Sequence, residues 1–211
     1  MLAGAMSGRL VVLASGSGSN LQALLDHGDP LEVVRVVVDR PEVGAVDRAA
    51  AAGVGAAMVD VAAYDERTAW ERELLAAVAA GEPDLVVLAG FMRLLGPEVV
   101  GRWPMINVHP SLLPAFPGPR AVEQALAHGV KVTGATVHFV DEGVDTGPIV
   151  AQQAVAVEAD DTVASLHARI QPVEHALLPQ CAVWQVQQRL RVDGRHVYTP
   201  TDAAAVTDRR R

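Results

Sequence analysis

Short apolar runs separated by longer stretches of helical spacing organise most of this chain. "RLVVLAS" (Arg9 to Ser15) is too short for a helix and predicts a buried strand. "SNLQALLDHG" follows with helical spacing and a glycine at its end. "LEVVRVVVD" predicts a second strand, and "PEVGAVDRAAAAG" a helix with proline at its start and glycine at its stop. "GAAMVD" predicts a third strand. "YDERTAWERELLAAVAAG" predicts a long amphipathic helix with its acids near the start. "PDLVVLAG" and "MINVH" predict the fourth and fifth strands, and "RAVEQALAHG" another helix. Strand alternating with helix predicts a parallel sheet covered on both faces.

The rhythm then changes. "VKVTGATVHFV" and "GPIVAQQAVAV" are separated only by "DEGVDT", a link that suits antiparallel pairing rather than a helical crossover. A helix is predicted from about Thr162, with Pro172 and Pro179 expected to kink or break it. "RLRVDGRHVY" predicts a terminal hairpin around an Asp-Gly turn. No repeat or low-complexity linker divides the chain, so one α/β domain is the simplest reading.

Composition narrows the classes. The 211 residues are 50% hydrophobic but only 4% aromatic, so one well-filled core must come from Val, Leu, Ala and Ile. A formal charge of -8 argues against a general nucleic-acid binder but not against a small anion held by backbone dipoles. The single cysteine, Cys181, lies among apolar residues and reads as a buried thiol. No stretch reaches the ~18 apolar residues of a membrane span, and the N-terminus lacks the pattern of a secretion signal. A cytoplasmic protein is expected.

"ASGSGSNLQALL" places Gly16, Ser17, Gly18, Ser19 and Asn20 between the first strand and the first helix. Glycines allow close backbone approach, and a helix start presents free N–H groups to an anion. A phosphate site is expected; the plain alternative is a tight turn capped by Ser19 or Asn20. The Walker pattern fails. The dinucleotide pattern fits at Gly16 and Gly18 but has Leu21 at its third glycine, although Asp39 stands about 20 residues on, where a ribose acid would be.

In an open parallel sheet, ligands lie beyond the carboxyl ends of the strands where their order reverses, which the usual winding puts between the first and fourth strands. "GSGSN", "AGFMRLL" and "NVHPSLLPAFPG" all follow such strand ends. Asn107 and His109 are two apart in a strand and face the same way, so together they form a two-donor oxyanion site. The plain alternative is a capped strand end with one core histidine. Asp145, in "DEGVDTGP", either sits in a polar turn or reaches the crevice to orient His109 and relay a proton. His27, His128, His138, His167, His175 and His196 are scattered without metal-ligand spacing, and Ser111 has no nucleophile elbow. A noncovalent acyl or formyl transfer fits these features.

"SGSGSNLQALL", "VVLAGFMRLL", "INVHPSLLPAFPG" and "GATVHFVDEGVDTGPIVAQ" resemble segments of the phosphoribosylglycinamide formyltransferase family, folate-dependent formyltransferases of purine synthesis. The resemblance runs from about Leu10 to about Tyr198. It implies a single-domain Rossmann-like three-layer sandwich over 9–198. The sheet would be mostly parallel with an antiparallel strand near the C-terminal part, between an N-terminal extension (1–8) and a flexible tail (199–211). It implies direct attack of the amine of glycinamide ribonucleotide on the formyl carbon of 10-formyltetrahydrofolate. Asn107 and protonated His109 would hold the oxyanion, and Asp145 would assist proton transfer. Gly16 to Asn20 and Gln171 would take the phosphate side of the ribonucleotide, and Glu174 the ribose hydroxyls. Phe91, Met92, Arg93, Leu94, Leu95, Asn107, Val140, Asp141, Glu142, Gly143, Val144 and Asp145 would wrap the folate. Pro114 matches a cis proline. Arg120 stands where many bacterial relatives have His, and Pro172 is unusual between Gln171 and Glu174. The resemblance implies no metal, nucleic-acid or membrane partner, and admits a homodimer.

Methionyl-tRNA formyltransferase would be expected to add a basic RNA-binding domain, and the formyltetrahydrofolate deformylase an N-terminal regulatory domain. A sugar-nucleotide formyltransferase would lack "GSGSN". The reading from another class, an NAD-binding oxidoreductase or dinucleotide sensor built on Gly16, Gly18 and Asp39, leaves Asn107, His109 and Asp145 unexplained. With the family reading, Asp39 becomes an ordinary strand-end acid.

Overall fold

The computed structural model describes residues 7–202. The elements run in chain order as β1 (Gly8–Ala14), α1 (Ser19–His27), β2 (Leu31–Val38), α2 (Gly44–Ala51), β3 (Ala56–Met58), α3 (Arg67–Ala79) and β4 (Leu85–Leu88). Then come α4 (Pro97–Val100), β5 (Met105–His109), α5 (Ala121–Ala127), β6 (Val132–Phe139), β7 (Ile149–Ala156) and α6 (Val163–Val186), with β8 (Arg191–Asp193) and β9 (His196–Tyr198) last. Seven strands form one sheet in the order β3-β2-β1-β4-β5-β6-β7. Pairing is parallel from β3 to β5, and β6 is antiparallel to both β5 and β7. The winding reverses between β1 and β4, as the alternation of strands and helices predicts. β8 and β9 pair as a separate hairpin.

Strand alternation builds the two faces. Leu10, Val12 and Ala14 of β1 join a buried cluster with Leu21 and Leu24 of α1 and Leu178 of α6. Val11 and Leu13 face the other way, to Trp70 and Leu74 of α3. Each such buried side chain stabilises the fold by roughly 1.5–3 kcal/mol relative to exposure. The Trp70 Nε1–H, inside this apolar layer, donates to the Val59 carbonyl at 2.9 Å. Cys181 is fully buried, as its apolar neighbours imply, and burial pushes its thiol up to about 12.

Several elements differ from expectation. α2 begins at Gly44 rather than at Pro41, because Glu42 holds a left-handed φ of 55° and Val43 is an extended N-cap. α3 begins at Arg67, which leaves Asp65 and Glu66 ahead of its first turn. α4, with proline in its first turn, and a short 3-10 turn at Val61–Ala63 were not anticipated. Pro172 and Pro179 do not interrupt α6, which runs unbroken for 24 residues. Each proline removes one helical bond, yet a capping box between Thr162 and Ser165 secures the start of α6. Burial of Ile170, Leu178 and Cys181 clamps the rest of the helix. The expected N-terminal extension and tail lie mostly outside the described residues. Of the residues that are described, Gly8 already pairs with Leu31, and Thr199 is buried with its N–H donated to Asp202.

β6 and β7 approach closely at Gly134. A Cβ there would press into the Gln153 carbonyl oxygen and lie 2.9 Å from the Leu112 side chain. Gly134→Ala is therefore expected to lower unfolding stability by about 1–3 kcal/mol, seen as a lower urea midpoint with unchanged slope.

Candidate active site

β5 shows its two sides clearly. Ile106 and Val108 sit in the cluster shared with α1 and α6, so Asn107 and His109 project from the opposite face. In the antiparallel register, His138 of β6 stands directly across from Asn107. The connection from β6 to β7 folds back over this face and brings Asp145 down onto all three. The cavity that results has a volume of about 500 Å³ and extends to the loops after β1 and β4 and to α6.

The Asp145 carboxylate is the hub. Oδ2 accepts the Gly118 N–H at 2.7 Å and faces His109 Nδ1 at 3.3 Å. Oδ1 accepts from Asn107 Nδ2 at 3.3 Å and faces His138 Nε2 at 3.4 Å. Asp145 has a left-handed φ of 54°, which a non-glycine residue adopts only when its surroundings hold it there. Burial opposes its charge, but the His138 ring, His109 and the Gly118 N–H outweigh that and hold the carboxyl at about 2.

Both nitrogens of His109 face oxygen acceptors: Nδ1 faces Asp145, and Nε2–H donates to the Phe116 carbonyl at 2.8 Å. The pocket thus accommodates a doubly protonated ring. Burial nonetheless drives the His109 pKa below the ordinary histidine value, against the raising effects of Asp145 and the Phe116 carbonyl. His138 Nδ1 faces the Phe139 carbonyl at 2.8 Å, which leaves Nε2 3.1 Å from the Asn107 amide nitrogen. With a proton on Nε2, His138 points it at Asp145 Oδ1, 3.4 Å away, and so fixes the carboxylate beside the Asn107 carboxamide.

At the other end, Gly18 is the N-cap of α1 with φ 74°. A side chain there would strike Ala45, whose Cα would lie 2.8 Å from the added Cβ. No side chain caps α1, so the capped-turn alternative with Ser19 or Asn20 is not what forms. Arg48 braces the loop from α2, with Nε donating to the Ser17 carbonyl at 2.8 Å. Glu174, only 3% exposed, lines the same end with Gln171, on the far side of Pro172. Burial pushes the Glu174 carboxyl up to about 7, with the Asn20 side chain opposing.

The residues assigned in sequence to the catalytic, ribonucleotide and folate sets all line this one cavity except Glu142. Asp141 is there too, but its carboxylate is turned to its own loop, accepting from Thr146 Oγ1 at 2.6 Å and from the Gly143 N–H. Phe91 and Leu95 are buried while Met92 and Leu94 stay exposed, so their loop is pinned by alternate side chains. The Leu113–Pro114 bond is cis, and so is Asp29–Pro30. Asp39 corrects an expectation. It is buried and takes Arg93 Nε at 2.6 Å and Arg40 Nε at 3.3 Å. It is neither an ordinary strand-end acid nor accessible to a ribose, so the dinucleotide reading loses its acid. His138 is a site residue that sequence reasoning passed over as scattered. Its signal was the antiparallel register that sets it opposite Asn107. Arg120 and His167 also line the cavity. Among the described residues, no cluster of His, Cys, Asp or Glu is placed to hold a metal ion, and no helix is long and apolar enough to cross a membrane.

Both the sequence and the fold have named relatives. The model of the formyl transferase family matches residues 8–182. Phosphoribosylglycinamide formyltransferase of Mycobacterium tuberculosis H37Rv is 56% identical over 175 residues, covering 81% of this chain and 81% of that protein. The enzyme of the same name from Escherichia coli K12 is 40% identical, covering 87% of this chain and 89% of that protein. The crystal structure of glycinamide ribonucleotide transformylase 1 from Symbiobacterium toebii superposes with a TM-score of 0.89 at 48% identity, covering 93% of this chain and 95% of that one. With the family model matched over residues 8–182, relatives at 40–56% identity and a shared fold, the chain belongs to the formyl transferase family.

Proposed function

We propose that this protein transfers the formyl group of 10-formyltetrahydrofolate to the amine of glycinamide ribonucleotide, a step of purine synthesis. The observation that carries the reading is that one cavity holds both an uncapped helix start behind a glycine loop and a carboxylate joined to Asn107, His109 and His138. The first suits a phosphate and the second suits an acyl transfer. The relatives' shared name supplies the acceptor and the formyl group, and the family resemblance implies the folate donor.

In this reading the N–H groups of Ser19 and Asn20 bind the phosphate with Gly16 to Gly18, Gln171 lies on the phosphate side, and Glu174 holds the ribose hydroxyls. The loops at Phe91–Leu95 and Val140–Val144 enclose the folate. The amine nitrogen attacks the formyl carbon, and the carbonyl electrons move to oxygen. Asn107 Nδ2–H and His109 Nε2–H meet that oxyanion, the latter exchanging its bond to the Phe116 carbonyl for one to substrate. Asp145 stabilises the charged His109 ring and assists movement of one proton from the attacking nitrogen to the folate N10. The C–N10 bond then breaks and leaves tetrahydrofolate and the formylated amide. Two preorganised donors in a shielded site are the main source of rate, each worth on the order of 100- to 1000-fold. The reaction needs no metal and takes place among small cytoplasmic molecules.

The direct test is an absorbance assay of formyl transfer from a 10-formylfolate to glycinamide ribonucleotide. Turnover with water or a different amine, and none with this one, overturns the substrate assignment. His109→Ala or Asp145→Asn is expected to lower kcat by at least ~100-fold with folding intact; a near-normal rate removes that residue from the mechanism. Asp145 raises the His109 pKa, so in Asp145→Asn the imidazole NMR titration is expected to move to lower pH.

Glu174 gives a third outcome. Its folded pKa lies at about 7, above the ordinary glutamate value of 4.5, so the folded state holds the proton more tightly than the unfolded chain does. Its stabilising contribution is then complete below about 4.5 and falls as pH rises to about 7, by on the order of 3 kcal/mol. Glu174→Gln is expected to remove that decline, so the variant gains thermal stability over the parent at pH 8 but not at pH 4. Its KM for the ribonucleotide should rise ~10-fold through the lost carboxylate acceptor.

A further inference from the structure

The loop from Gly90 to Leu95 forms one wall of the cavity without regular secondary structure. Something other than a backbone ladder must fix its shape. Two of its side chains, Phe91 and Leu95, are buried in the layer shared with α3. Its backbone is held by Ser15, whose N–H donates to the Gly90 carbonyl at 3.2 Å and whose Oγ accepts the Met92 N–H at 3.0 Å. Arg67 Nη2 donates to the Leu94 carbonyl at 2.6 Å. Between these ties, Arg93 Nε donates to Asp39 at 2.6 Å. Asp39 lies just past the end of β2, two strands from β4 in the sheet, and its side chain is fully covered. It does not line the cavity. A covered carboxylate is costly unless paired, and here Arg93, Arg40 and Ser15 surround it. Burial opposes its charge, yet these neighbours together hold the carboxyl below its usual range.

We propose that Asp39 is a positioning residue for the folate half of the site. Through Arg93, and beside Ser15, it locks the Phe91–Leu95 loop in the shape that lines the cavity. This rests on the reading that the loop receives the folate. Arg40 is the more exposed arginine of the group and directs its hydrogen bonds to Asp39 from the next position in the chain, so it balances charge rather than tying the loop. Asp39 is therefore expected to matter for one substrate and not the other.

The test combines calorimetric binding of 10-formyl-5,8-dideazafolate with steady-state kinetics on the full chain. Asp39→Ala is expected to raise the folate Kd and KM by ~10-fold or more while kcat and the ribonucleotide KM stay within ~2-fold. Added to Arg93→Ala, the same change should have little further effect on folate affinity, because the two act as one unit. Arg40→Ala should bind folate normally. If Asp39→Ala does not fold, Asp39→Asn, which keeps one acceptor for Arg93, should show the same selective shift at smaller size. An unchanged folate Kd in a folded Asp39 variant overturns the proposal. So does an equal loss for both substrates, or a loss that adds fully to that of Arg93→Ala. If the parent protein binds the folate but does not formylate glycinamide ribonucleotide, the substrate reading fails while the Kd comparison still decides the role of Asp39. If the parent binds no folate, both fall.

Discussion

A carboxylate that stays charged under cover of protein organises the last third of the sheet. The Asp145 side chain is only 13% exposed. Buried charge needs donors from several directions. The donors come from β5, from β6 and from the loop that follows β5. The β5–β6 connection carries α5 and is long enough for a parallel crossover, yet β6 runs antiparallel, and that register sets His138 opposite Asn107. The antiparallel strand and the left-handed backbone at Asp145 are thus parts of one solution to one electrostatic demand.

The same cavity holds a second carboxylate tuned the other way. Asp145 is held at about 2 while Glu174 is pushed up to about 7. Both are covered, so burial alone does not separate them. Asp145 has two imidazole rings and a backbone N–H around it, whereas Glu174 has an amide. Environment thus divides two chemically similar groups into a permanent anion and a group that exchanges a proton near neutrality. The first suits a partner for a histidine that must gain charge. The second suits a reversible contact with neutral hydroxyls.

Much of this was legible in the chain. Short Val- and Leu-rich runs marked the strands, and the two-residue spacing of Asn107 and His109 placed both on one face. Glycines before a helix marked the anion end. Other features depended on contacts between distant parts of the chain. His138 is 31 residues from Asn107 and becomes its neighbour only once β6 has paired in a definite register. Asp39 looked like a ribose acid or a plain strand end, because nothing in its local sequence shows that Arg93 will be folded onto it. Gln171 and Glu174 came from the family resemblance and not from spacing. Helical periodicity cannot show which face of α6 meets the loop after β1. The continuity of α6 through two prolines was likewise decided by packing, which outweighs a propensity of a few kcal/mol.

The position of α6 has a consequence for synthesis on the ribosome. The glycine loop leaves the exit tunnel early, with β1 and α1, whereas Glu174 and Gln171 emerge some 150 residues later. Only when α6 docks beside α1 do the two sides of the ribonucleotide end meet. A nascent chain that stops after β7 carries Asn107, His109, His138 and Asp145 but has nothing to close the far end of its cavity. Competence therefore arrives late, when the last long helix settles against the first, and an unfinished chain has no complete site in which to bind its substrate.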